Sequence, residues 1–242
     1  MKSYKGRGIV LHTLKYGDSS LVVYLLTDVG GRRSFLVQGV RGRAGHGSKL
    51  PLFQPILPIE CEALESNRMQ MHRFKEVRAG FSLQNIPFDV RKSTIALFMA
   101  EVLYRLVRES EPNEPLFQFV WNSIGALDAM TDGVADFHLW FLANLSRFLG
   151  FCPGNEYVEG AWFDIREGLY SLLRPTHTGC MTQECTRLLG RLIGCDVRLL
   201  GTLGLNRTQR AEFLEAMLAY LGYHLEAVHA VQSVRILREV FY

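Results

Sequence analysis

At about residue 84 the hydrophobic pattern of this chain changes period, and that change limits what it can fold into. Before it, apolar and β-branched residues come in short runs divided by turn formers. Ile9-Val10-Leu11-His12-Thr13-Leu14 is followed by the turn cluster Tyr16-Gly17-Asp18-Ser19, and Leu21 to Thr27 by Asp28-Val29-Gly30-Gly31. Such spacing predicts a β-hairpin. Phe35-Leu36-Val37 supplies a third strand, Ile56 to Leu64 a fourth and Met69 to Val77 a fifth, with no long helix among them. Five short strands in about 75 residues predict a small closed or nearly closed barrel.

After Gln84 the period becomes helical. Ile95, Phe98, Met99, Val102, Leu103 and Leu106 recur on one side of Val90 to Val107. Glu111-Pro112-Asn113-Glu114-Pro115 stops that helix and starts another, which carries Leu116, Phe119, Val120, Ile124 and Leu127. Val134 to Leu149 is apolar almost all round, as the central helix of a bundle is. Gly150 to Gly179 reads as a long irregular loop with a hairpin around Phe163 to Ser171. Helices resume at Thr182 to Leu192, at Asn206 to Tyr223 with Asn206 as N-cap, and at Ser233 to Val240. The expected fold is therefore α+β and multi-domain. A five-stranded barrel over residues 1–80 precedes a mostly α-helical domain over 81–242, with an irregular insertion at about 150–180.

Charge follows the same division. The chain holds 27 Lys/Arg against 24 Asp/Glu; residues 1–80 account for 13 and 6, which leaves 14 and 18 for the remainder. A basic module joined to a mildly acidic one points to a polyanionic partner for the first. The charge concentrates between Gly30 and Lys49, where five Lys/Arg and six Gly occur without an Asp or Glu. Cations there neutralise phosphates and release counterions, while glycines let the backbone approach closely. Arg32, Arg33, Arg41, Arg43 and Lys49 are thus candidate nucleic-acid contacts, extended by Lys5, Arg7, Lys15, Arg73 and Lys75 on or beside the strands. Lys2 and Arg78 add to the same charge. Tyr4, Tyr16, Phe35, Phe53 and Phe74 are candidate stacking platforms, or barrel core.

Enzyme signatures fail. The loop Gly42 to Lys49 ends Gly47-Ser48-Lys49 where a phosphate-binding loop needs Gly-Lys-Ser/Thr, and Pro51 intervenes before any helix. His224 and His229 are five residues apart, about 140° around a helix, so they do not share a metal as an i, i+4 pair does. No G-x-S-x-G elbow is present, so the expectation is no catalytic site. Five cysteines, an odd and widely spaced set, argue against a disulfide framework. For zinc, Cys152, Cys180 and Cys185 are weak candidates, because only Cys180 and Cys185 have knuckle-like spacing. The start of the sequence lacks a signal-peptide pattern and no apolar run is long enough to span a bilayer, which predicts a soluble cytosolic protein with no membrane partner.

The motifs Gly8-Ile9-Val10-Leu11, Tyr16 to Val22, Leu26 to Gly31 and Val37 to Gly42 resemble the N-terminal OB-fold of the RecO family of bacterial recombination mediators. Phe148-Leu149-Gly150-Phe151 is similar to the segment before that family's zinc-ribbon-like loop, and Gln232 to Glu239 to its last helix. The resemblance implies binding of single- and double-stranded DNA, annealing of complementary strands without enzymatic turnover, and a cytoplasmic, nucleoid-associated protein. It also implies work with RecR and the single-strand-binding protein SSB to load the recombinase RecA. SSB presents an acidic, apolar C-terminal tail, so an apolar groove beside an Arg is expected in the helical domain, with Arg105, Arg187, Arg191 and Arg210 as candidates. Many members hold zinc with two C-x-x-C pairs, and this chain departs from both, so no cofactor is expected. A protein-binding adaptor indifferent to DNA and an RNA-binding OB protein remain the alternatives.

Overall fold

The computed structural model describes residues 3–40, 49–64, 71–108 and 111–242. Five strands, β1 (Ser3–Tyr16), β2 (Ser20–Thr27), β3 (Gly31–Val37), β4 (Pro58–Leu64) and β5 (His72–Ala79), close into a barrel in the order β1-β2-β3-β5-β4. All pairs are antiparallel except β3 with β5, which meet in parallel at Phe35↔His72 and Leu36↔Arg73. That order, with one long first strand shared by both sides of the barrel, is the OB-fold.

The length of β1 makes closure possible. Its first half pairs with β4 from Ser3↔Leu64 to Ile9↔Pro58, and its second half with β2 alone, with an irregularity in register between Val10 and His12. A bulge there bends the strand and lets it serve two neighbours. β1 begins six residues before the apolar run at Ile9 and passes through Gly6 and Gly8. They are points of close approach: a Cβ on Gly6 would stand 2.9 Å from Asp28 Oδ1. Beside the bulge, Ile56 has φ 66°. Its complete burial and its N–H bond to Val10 O at 2.7 Å offset this strain, about 3 kcal/mol against about 1–3 kcal/mol.

Val10, Val23, Leu25, Phe35, Val37, Val40, Phe53, Ile59, Cys61 and Ala63 form the barrel core. Phe35 and Phe53 are buried inside it, with Phe35 stacked on Phe74 at 4.5 Å, so they are core and not platforms.

The helices are α1 (Val90–Leu106), α2 (Glu114–Ala129), α3 (Phe137–Leu145), α4 (Gln183–Leu192), α5 (Arg207–His224) and α6 (Val234–Phe241). Helix α3 is buried along its whole length, but the run expected from Val134 to Leu149 is α-helical only in the middle and becomes 3-10 at both ends. Asn206 caps α5 as expected and forms a reciprocal capping box with Gln209. The expected hairpin is present as β6 (Trp162–Asp164) and β7 (Leu169–Ser171), and a third strand, β8 (Cys180–Met181), makes the order β7-β6-β8.

Two compact units result, one of Met1–Asp89 with Met99–Asp128, the other of Val90–Phe98 with Ala129–Tyr242. In the first, α2 meets the barrel at Arg7 on β1 and at Gly80, which follows β5. Trp121 packs edge-on to Phe81 at 5.3 Å, and Asp128 accepts the N–H groups of Gln84, Asn85 and Ile86 at 2.8–2.9 Å. Among the described residues no helix is long and apolar enough to cross a membrane.

Candidate nucleic-acid interface

Val40, after β3, and Lys49 meet at one place. Val40 N–H bonds Ser19 O in the β1–β2 turn at 2.9 Å, and Lys49 N–H bonds Val40 O at 3.1 Å. Val40 and Lys49 therefore both sit against that turn. Lys15 and Tyr16 end β1 there, Tyr16 being 52% exposed. The register Lys15↔Leu21↔Val37, next to Leu36↔Arg73, sets Arg73 three interstrand steps from Lys15, about 14 Å along the curved barrel wall. Lys15, Lys49 and Arg73 are exposed and have no carboxylate within ion-pair distance among the described residues. Arg41, Arg43 and Lys2 lie outside the described residues.

The remaining candidates occupy different surroundings. Arg7 bonds Asp28 at 3.1 Å and stacks 5.2 Å from both the Phe117 and Trp121 rings. Arg32 donates to Tyr104 O at 2.6 Å with its guanidinium over the Tyr24 and Tyr104 rings, where His12 also stacks on Tyr104 at 4.5 Å. Burial, reinforced by Arg105, pushes the His12 imidazole down, so the cluster gains no second cation from it. Arg33 is turned back onto Gly30 O and the Tyr4 ring, at 3.2 and 5.3 Å.

Across β1, β4 and β5 runs a groove of about 840 Å³ that mixes signs: Lys75 pairs with Glu62 at 2.8 Å and Arg78 with Glu60 at 2.6 Å, while Lys5 stands opposite Glu62 in the register. The Lys75 bond holds the Glu62 carboxyl below its ordinary range. Cations already matched by carboxylates attract a phosphate chain less than free ones do. The neutralising partners Asp28, Glu60 and Glu62 were beyond sequence reasoning, since only cross-strand register brings them to the cations.

In the second unit, α4 and the segment leading into α5 enclose a cleft of about 130 Å³ lined by Arg187, Leu188, Arg191, Leu203 and Leu205, with Glu184 and Glu212 also on its wall. Of the four arginines considered for an acidic tail, Arg105 pairs with Glu101 at 3.2 Å and Arg210 with the buried Asp136 at 2.5 Å. Arg187 and Arg191, one helical turn apart, open onto the cleft.

The cysteines do not assemble. Cys152 is exposed, Cys180 lies half-buried on β8, and Cys185 is buried in the first turn of α4, where burial pushes its thiol up. Among the described residues no group of three His, Cys, Asp or Glu stands close enough to hold a metal ion. These residues do not fit a two-pair zinc site.

Comparison with known proteins agrees with the barrel and the helical unit. Residues 1–80 match the Recombination protein O N-terminal family, and residues 87–230 the Recombination protein O C-terminal family. The DNA repair protein RecO of Bacteroides fragilis is 40% identical over 237 residues, covering 97% of both chains. That of Phocaeicola vulgatus is 37% identical over 235 residues, again 97% of both, and that of Flavobacterium psychrophilum 34% over 238, 98% of both. With both halves matched in order and relatives aligned nearly end to end, the chain belongs to the RecO family of DNA repair proteins.

Proposed function

We propose that the chain is a DNA repair and recombination mediator that binds single- and double-stranded DNA through the barrel and anneals complementary strands. The observation that carries this reading is that Val40 and Lys49 meet at the β1–β2 turn, where Lys15 and Tyr16 end β1. Lys15 and the exposed Tyr16 ring lie at the turn that Lys49 meets, and Lys49 also lines the groove that holds Lys5, Arg7 and Lys75. Annealing two polyanions needs screening and positioning but no catalytic group, so no enzymatic turnover is assigned. Tyr16 supplies a sequence-neutral stacking face. Arg41 and Arg43, which lie outside the described residues, are assigned to DNA contact with Lys15, Lys49 and Arg73 on their charge and their place in the sequence between Val40 and Lys49. Lys5, Arg7 and Lys75 share the groove that Lys49 also lines, while Arg32 and Arg33 are held by Tyr104 O and Gly30 O.

The test is fluorescence anisotropy with a single-stranded oligonucleotide, titrated across salt. Changing Lys15, Lys49 and Arg73 together to Ala is expected to weaken binding and flatten the log–log salt slope by about 2, at about 0.7 per lost contact. Changing Arg41 and Arg43 to Ala lowers it by a further 1 or so on the same scale. An unchanged slope would move the site elsewhere. Preference for an RNA competitor would favour the RNA-binding reading, and no binding by the folded protein the adaptor reading.

For the second unit, the reading is that the α4–α5 cleft receives the SSB C-terminal tail, the apolar wall taking its side chains and Arg187 and Arg191 its carboxylates. Together with RecR, this places the protein where RecA is loaded onto SSB-coated DNA, in the cytoplasm at the nucleoid. Arg187→Glu with Arg191→Glu is expected to weaken binding of a labelled tail peptide at least about tenfold while leaving oligonucleotide binding by the barrel intact. Equal peptide affinity would exclude the cleft.

A further inference from the structure

In the insertion, a C-x-x-C pair that begins at Cys152 would end at Asn155, and one that ends at Cys180 would begin at His177. Both side chains hold the small sheet together. Asn155 meets the backbone of Tyr170 on β7 in both directions, Nδ2 donating to its carbonyl at 2.9 Å and Oδ1 accepting its N–H at 2.7 Å. The amide acts as one rung of an extra strand along the β7 edge, and Gly154 N–H to Gly168 O at 2.9 Å continues it.

His177 works on the other edge. Its Nδ1 accepts the N–H of Gly179 at 3.1 Å, which leaves the proton on Nε2 to be donated to Asp164 Oδ2 at 3.0 Å. The other oxygen of Asp164 takes the N–H groups of Arg166 and Glu167 at 2.8 and 3.2 Å. One carboxylate thus ties the β6–β7 turn to the segment that enters β8. Behind the sheet, Phe163, Tyr170 and Tyr220 pack at 5.0–5.1 Å, and Phe163 N–H bonds Thr186 Oγ1 on α4 at 3.0 Å.

We infer that Asn155 and His177 are clamps standing in place of metal-ligand pairs, so that the insertion of this chain folds without a metal ion and Cys152 and Cys180 are dispensable to it. A knuckle and a clamp solve the same problem, since a short sheet with few ladder bonds needs its edges closed. Here the closure is made by side-chain hydrogen bonds satisfied on both sides, and the thiols are left out of it. The inference is independent of the DNA-binding reading.

The full chain, purified without chelator, gives the test through metal content, melting temperature with and without 1,10-phenanthroline, and hydrogen exchange. Less than about one zinc per ten chains and a melting temperature unmoved by chelator are expected, as for a fold not linked to metal. Asn155→Ala is expected to speed exchange at the Tyr170 amide by about tenfold, and His177→Ala to do so at Gly179. Cys152→Ser with Cys180→Ser leaves both rates unchanged. Should Asn155→Ala not fold, Asn155→Asp, which keeps the acceptor and loses the donor, gives a smaller increase at Tyr170. The exposed Cys152 thiol reacts with a thiol reagent in the native protein without prior chelation. Stoichiometric zinc, a melting temperature lowered by chelator, or cysteine variants as damaged as the Asn155 variants would overturn the inference.

Discussion

Asp128→Ala is expected to lower the stability of the first compact unit by about 3 kcal/mol or more, the largest effect of any single side chain considered. Asp128 lies near the end of α2, is 7% exposed, and accepts three consecutive N–H groups, from Gln84, Asn85 and Ile86. These belong to the connection that follows β5, where the backbone has left the sheet ladder and its donors need another acceptor. Removing the carboxylate leaves the buried Ile86 N–H unanswered and gives up the charge-assisted bonds from Gln84 and Asn85, whose residues are exposed, at about 1 kcal/mol or more each. Asp128→Asn keeps one acceptor oxygen and is expected to cost about half as much. Urea denaturation followed by tryptophan fluorescence checks both, as a fall in midpoint with an unchanged m-value. A midpoint shift equivalent to less than about 1 kcal/mol for Asp128→Ala would mean that water or relaxation replaces the carboxylate.

The second large effect is a loss of stability in mild acid. His138 lies on α3 with no exposure, its Nε2 2.5 Å from the Tyr242 hydroxyl, its ring stacked on Phe241 at 5.5 Å, and its Nδ1 buried without a hydrogen-bond partner. Burial, helped by the nearby Arg210 guanidinium, pushes its pKa down to about 3. The unfolded chain therefore takes up a proton below about pH 6.5 that the folded chain refuses until about pH 3. The stability is complete above pH 6.5 and is lost as pH falls toward 3, at up to about 1.4 kcal/mol per pH unit. Between pH 7 and pH 5 the loss is about 2 kcal/mol. Other groups titrate too, so the difference between the native chain and His138→Leu is the useful measure. The native chain should lose about 2 kcal/mol relative to that variant over those two pH units, and parallel curves would show that the imidazole is protonated or solvated in the folded state.

How far the fold was legible depends on how local its causes are. Every barrel strand was anticipated, because runs such as Leu21 to Thr27 and turns such as Tyr16 to Ser19 carry their signal within a few residues. The capping box of Asn206 and Gln209 is local in the same way. Strand β8 escaped notice because it is two residues long, Cys180–Met181, and is a strand only by pairing with Phe163 and Asp164. β1 reaches back to Ser3 beyond the apolar run because Ser3 to Gly8 pair with β4, and Gly6 and Gly8 admit Asp28 and Leu25 against them.

The candidate interface divides along the same line. Sequence by itself determined that the first 80 residues carry the excess positive charge, that it peaks between Gly30 and Lys49, and that the chain passes from strands to helices near residue 84. Charge, turn chemistry and period are properties of neighbours along the chain, which folding does not alter. Tertiary structure alone decided which cations are matched and which are free. Arg7 meets Asp28 twenty-one residues away, Lys75 meets Glu62 across a strand pair, and Arg32 is held by a carbonyl of α1, while Lys15, Lys49 and Arg73 meet no carboxylate among the described residues. The same holds for Asn155 and His177, which read as ordinary loop residues until β6 and β7 come beside them. The reason is range: a strand register or a helix packed on a barrel joins residues far apart in sequence, and a displacement of one residue along a strand turns each side chain to the opposite face.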